Sequence, residues 1–142
     1  MLVFTMTMNL LALRDPWLAV KLPSLPLLEF RAMQLGFDGL AVIVGVVIHL
    51  AVAVTWAVGF GLLFYGLSTS LTLATGLLWG LLVWVTMYDL VLPSIGASVI
   101  ARMTSLRVSV VTHLVYGLTI AVAFLPFQTP PLFRRMTHGL AR

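Results

Sequence analysis

The chain has 142 residues, 61% hydrophobic and only 8% charged, with mean hydropathy +1.13, a formal net charge of +4 and a pI near 10.4. Soluble domains run about 45–50% apolar and about 25% charged, and a water-soluble fold of this size has too little interior to hide so much apolar surface. Composition therefore excludes a water-soluble fold and specifies a single domain with lipid as its main solvent. Eight Lys and Arg against four acids would suit nucleic acid in a soluble protein. Here the arginines flank apolar runs, where they set membrane topology, and no nucleic-acid partner is expected. The absence of cysteine rules out disulfides, thiolate metal sites and cysteine nucleophiles.

Residues 1–13, MLVFTMTMNLLAL, are apolar but lack the positive start and small-residue cleavage site of a signal peptide. At about 1.5 Å per residue they reach some 20 Å, short of the roughly 30 Å hydrocarbon core. They read as an embedded or interfacial helix, or as the end of a longer span, with Thr5, Thr7 and Asn9 facing partners or the interface. Residues 14–38 carry Arg14, Asp15, Lys21, Glu29, Arg31 and Asp38 together with Pro16, Pro23 and Pro26. Prolines at this spacing favour a turning, extended path along the membrane surface. Trp17 would anchor it at the headgroups, and residues 27–34 leave room for one short helix.

No formal charge occurs between residues 39 and 88, a run long enough for two membrane spans and too long for one. The turn formers GLSTS at 66–70 divide it, giving span one over 39–65 and span two over 72–92, the latter ended by Pro93. Phe60, Phe64 and Tyr65 place aromatic rings at an interface. Residues 94–107, with Arg102 and Arg107, connect to span three over 108–127, which stops near Pro126, Pro130 and Pro131. A basic tail over 128–142 carries Arg134, Arg135, His138 and Arg142 and is expected at the surface. The expected fold is all-α: a polytopic membrane helix bundle of three transmembrane helices with a possible fourth, shortened N-terminal helix. Loops 14–38 and 94–107 share a side and hold five of the eight basic residues, which places them in the cytoplasm and the tail outside.

Ionisable groups within spans are costly and are therefore functional candidates. They are His49, Asp89 and His113. By helical rise, His49 lies roughly 15 Å beyond Gly39, His113 roughly 8–9 Å beyond Arg107, and Asp89 within roughly 5 Å of the same side. All three fall in one half of the bilayer. Small residues accompany them: Gly45 precedes His49 by four, Gly76 and Gly80 form G-x-x-x-G, and Ser109, His113, Gly117 and Ile120 share a face. Small residues let helix backbones approach, so Gly45, Gly76, Gly80 and Gly117 are the expected packing seams. A second reading is a tetrapyrrole site, haem b or chlorophyll, on His49, His113 or both, because imidazole is a common axial ligand. The gaps over Gly45 and Ser109 would then admit the macrocycle. A third is a proton or ion path through His49, Asp89 and His113, or pairing of Asp89 with Arg102 or Arg107. No nucleotide-binding turn, nucleophile elbow or metalloprotease motif occurs, and neither a catalytic role nor a protein-ligated metal is expected.

The runs from His49 through Trp56 and Gly59-Phe60-Gly61, Gly76-Leu77-Leu78-Trp79-Gly80, Leu92-Pro93, and His113-Leu114-Val115-Tyr116-Gly117 resemble a group of small uncharacterised bacterial inner-membrane proteins, broadly YagU-like, over about residues 39–125. The resemblance implies a four-helix protein in which residues 1–13 stand for a shortened first span. It implies no activity, ligand or partner. The function expected from the residues is a non-catalytic membrane subunit, accessory or structural, or a small self-associating protein. The tetrapyrrole and transport readings are its alternatives, and the expected partners are the bilayer and other membrane subunits or further copies.

Overall fold

The computed structural model describes residues 2–11 and 14–128; the basic tail expected beyond Gln128 lies outside them. Among the described residues the fold is all helical, without strands. Three helices are long and apolar enough to cross a membrane: Gly39–Phe64, Thr69–Ser94 and Leu106–Phe127. The N-terminal helix Leu2–Leu11 is too short to cross by itself, at about 1.5 Å per residue. It packs on Pro16–Lys21 and on span three.

Span one begins where the Asp38 carboxylate accepts the Ala41 N–H at 3.0 Å, satisfying one of the amides that a helix start leaves without a partner. Arg31 grips the same carboxylate with two nitrogens at 2.9–3.1 Å. The Ala41 amide and then the Arg31 guanidinium hold Asp38 below its ordinary range. A lowered carboxyl contributes stability above its unfolded value and loses it as pH falls through the folded one. Protection of the Ala41 amide from hydrogen exchange, corrected for intrinsic rate, should be level above about pH 5 and fall below about pH 3. Protection unchanged at the acid end would mean that this cap does not hold the helix start.

At its other end span one stops at Gly66, whose φ of +85° is a left-handed turn that glycine adopts freely. The Gly66 N–H donates to Gln128 Oε1 at 2.6 Å, and Gln128 Nε2 donates to the Phe64 carbonyl at 3.3 Å. The end of span three is thus tied to the turn between spans one and two.

Span two ends at Ser94, one residue past Pro93. It widens into a π-helical turn over Thr86–Val91 and continues through Leu92–Ser94, with the Leu92 N–H bonding five residues back to Met87. Proline cannot donate to the ladder, and its ring crowds the carbonyl four residues earlier. A looser local register accommodates both defects without ending the helix.

Spans two and three form the tightest seam. A methyl group added at Gly80 would strike the His113 carbonyl, and one at Gly117 would strike the backbone of Gly76 and Gly80. Ser109, Thr112, His113, Gly117, Ile120 and Ala121 make up the buried face of span three. Trp84 adds an indole N–H to Ser109 Oγ at 2.9 Å. Span one is peripheral: only 11% of its most apolar stretch is buried in the chain, against 28% and 33% for spans two and three. It joins them through its far half, where Phe60 is fully buried among Trp79, Ile120 and Ala121. The Tyr116 hydroxyl donates to the Ala53 carbonyl at 2.5 Å, and Trp79 Nε1 to the Trp56 carbonyl at 3.2 Å.

The near half of span one packs instead on residues 14–38, and here the structure departs from the sequence reading. That segment is not an extended strip on the surface. It forms Pro16–Lys21, a 3₁₀ turn Leu22–Ser24, and short helical turns Leu25–Leu28 and Phe30–Met33. Each proline sits in the first turn of its element, where the missing N–H costs nothing. The single helix expected over 27–34 is broken at Glu29, which takes a φ of +43°, a region costly for a residue with a Cβ. Val20, Lys21, Leu22, Ser24, Leu25 and Ala32 are buried. Leu25 and Ala32 pack with Leu92 at the end of span two and with Ala97 in the link to span three. The segment is a wedge between span one and that link.

Candidate functional site

The wedge holds one half of span one away from spans two and three, while the aromatic contacts draw the other half in. The splay leaves a cavity of about 480 Å³, within the roughly 300–1,000 Å³ usual for small-molecule and cofactor sites. Thr5 and Met8 of the N-terminal helix line it, as do Leu18, Leu22 and Pro26 of the wedge. Span one contributes His49, Val52, Ala53 and Trp56, and span two contributes Met87, Tyr88 and Val91. Ser109, Thr112, His113 and Tyr116 come from span three. Trp56 and Tyr116 also make the contacts that draw span one inward, so they form the floor. Arg14 lines the cavity while remaining exposed, and makes no ion pair or hydrogen bond with the described residues.

Both membrane histidines therefore reach one cavity. They differ in how they are held. His113 is 6% exposed, and its Nδ1 lies 2.8 Å from the Ser109 carbonyl. A carbonyl only accepts, so the neutral ring carries its proton on Nδ1 and its lone pair on Nε2. Tyr88 meets this ring edge-on at 5.8 Å. No buried side-chain nitrogen or oxygen among the described residues lacks a partner. His113 Nε2 has none, so it is not sealed in, and the cavity the ring lines is where it opens. His49 is half-buried and its ring makes no hydrogen bond among the described residues.

Asp89 does not join them. It is exposed on the π-helical turn, lines no part of the cavity, and pairs with neither Arg102 nor Arg107. The grouping of all three ionisable residues failed because depth along a helix does not fix the face. The loosened turn presents Tyr88 and Val91 inward while Asp89 lies outward. Gly45 is a close-contact position, but its neighbours are the Val20 carbonyl and Lys21 of the wedge. The room expected over Gly45 for a macrocycle is thus filled, while Ser109 stays in the cavity wall and accepts the Trp84 indole N–H. Space lies instead over Val52 and Ala53. Gly76, Gly80 and Gly117 are used inside the chain.

Along the wall, Thr104, Ser109 and Thr112 each donate to a carbonyl of their own helical turn. Neither histidine bonds a hydroxyl, so no nucleophile–base pair forms. Among the described residues no three His, Cys, Asp or Glu side chains gather as a metal site. The lining offers apolar walls, aromatic faces, two imidazoles and a guanidinium at the rim.

Sequence reasoning did not find the wedge's part in the wall or the role of Arg14. The proline spacing was the available signal, since Pro16, Pro23 and Pro26 can start helical turns as well as break them.

Fold and cavity together define a three-span helical membrane protein with a chamber between its helices. The chain belongs to the family of unknown function designated DUF6789, which it matches over residues 2–134. No curated protein and no solved structure matches it.

Proposed function

We propose that this chain is a non-catalytic accessory subunit of the cell's inner membrane that retains one small apolar or amphiphilic molecule between its helices. The observation that carries this reading is the cavity of about 480 Å³. A bundle built only for packing would close it by bringing span one against its neighbours. Gly45 instead admits the wedge backbone, and the mostly apolar lining of the partly open chamber suits a small apolar or amphiphilic occupant. Native mass spectrometry of protein released from nanodiscs tests this. Wild type should carry one adduct at near-unit stoichiometry, and Val52→Trp, which fills the chamber, should lose it while staying folded. Bare-chain mass for both proteins would contradict the reading.

A second reading, self-association, is favoured by the outer face of span one, where Ile43, Val47, Val54 and Leu62 are exposed. Because the glycine seams are spent internally, copies would have to meet through that face. Efficient Val54→Cys cross-linking in membranes supports it, and none counts against it.

A further inference from the structure

Building on the ligand-holding reading above, we infer that the molecule held between the spans is a b-type haem, with Nε2 of His113 as one axial ligand and His49 as the second. A bare metal ion needs three or four protein donors, and the described residues gather no such group. Two imidazoles are what remains to be supplied when a metal arrives with four in-plane nitrogens of its own.

His113 is prepared for this role. Its Nδ1–H is held by the Ser109 carbonyl at 2.8 Å, the outer-shell hydrogen bond that fixes the tautomer and raises the basicity of the ligating nitrogen. The backbone of His113 sits in the tightest seam of the fold, because its carbonyl lies against Gly80. Its position is therefore set by backbone packing rather than by side-chain freedom. His49 comes from the splayed helix and makes no competing hydrogen bond among the described residues. It can approach an iron without giving up another partner.

The remaining surface suits a planar macrocycle with acidic edges. Trp56, Tyr88 and Tyr116 provide aromatic walls in a lining that is mostly apolar. Arg14, exposed at the rim and unpaired among the described residues, offers a guanidinium to carboxylates at the headgroup level. A chlorophyll would need one imidazole and would leave the second without a task.

The purified protein in nanodiscs is to be titrated with hemin and its absorption recorded before and after reduction with dithionite. Wild type should bind one equivalent, with a Soret band and the sharp reduced α and β bands of a low-spin, six-coordinate iron. His49→Ala should give a high-spin, five-coordinate spectrum. His113→Ala should weaken binding by more than the roughly 10–100-fold that loss of an outer-shell partner costs. Circular dichroism of each variant separates ligand loss from unfolding, and His113→Gln, which keeps a polar side chain of similar size, serves if the alanine variant fails to fold. A Soret band identical in wild type and the double variant His49→Ala/His113→Ala would overturn the haem. So would a folded wild type that binds no hemin yet carries another adduct in native mass spectrometry, an outcome that leaves the ligand-holding reading standing. Bare-chain mass together with no hemin binding would remove both.

Discussion

Replacing Lys21 with methionine is expected to destabilise the protein by about 3–5 kcal/mol, the cost of breaking a buried charged cluster by removing one partner. Lys21 has no solvent exposure. Its ammonium donates to the carbonyls of Gln34 and, at 2.6 Å, of Gly36, and lies 3.9 Å from the Asp15 carboxylate. Asp15 in turn accepts the Trp17 N–H at 2.9 Å and the Gly36 N–H at 2.8 Å. One cation thus gathers the start, middle and end of the wedge, and its backbone lies against Gly45 of span one. Methionine keeps the stem volume but strands a carboxylate and two carbonyls. The double variant Asp15→Asn/Lys21→Met should recover part of the loss by removing the stranded charge. It should not recover all of it, because an amide oxygen can accept from Trp17 or Gly36 but its nitrogen cannot. Denaturant unfolding in mixed micelles measures both. A single variant within about 1 kcal/mol of wild type would show that the cluster is dispensable, since surface pairs alone are worth that little.

Gly117→Ala should be comparably damaging, and Gly59→Ala should not. A methyl group at Gly117 would meet the Gly76 carbonyl, the Gly80 nitrogen at 2.8 Å and the Gly80 Cα at 2.9 Å. These are all backbone atoms of span two, so no side chain can swing aside, and the helices must separate. Overpacking ordinarily costs about 1–3 kcal/mol and occasionally more; a contact that cannot relax belongs at the upper end. At Gly59 the nearest atom is Trp79 Cζ2 at 3.4 Å, ordinary contact, and the gain in helix propensity of up to about 1 kcal/mol favours alanine. Equal effects at the two positions would mean that the seam between spans two and three is not the tight one.

The spans were legible because their signal is physical and local: a long stretch without charge has to be surrounded by lipid, and GLSTS is the obvious place to turn. The span two–three seam was legible from local spacing too, since Gly76 and Gly80 lie one turn apart and Gly117 shares a face with Ser109 and His113. The wedge was not. Lys21 in a polar, proline-rich stretch reads as exposed, and its main partners are the carbonyls of Gln34 and Gly36, which carry no side-chain signature. Gly45 announced a close approach but not to what. Similar depth brought His49 and His113 into one reading, yet depth could not separate them from Asp89. That required the π-helical turn, which Pro93 imposes and which reads in sequence as a helix end.

The three-span fold requires the wedge and the span two–three link to share one face of the membrane, with the Gly66 turn on the other. Because the chain has no native cysteine, single replacements at Leu35, Ser68 and Ile95 can be labelled cleanly with an impermeant maleimide in sealed vesicles. Leu35→Cys and Ile95→Cys should react from the same side, and Ser68→Cys only from the opposite one. Reaction of all three from one side would contradict the three-span fold, and with it the chamber between the helices.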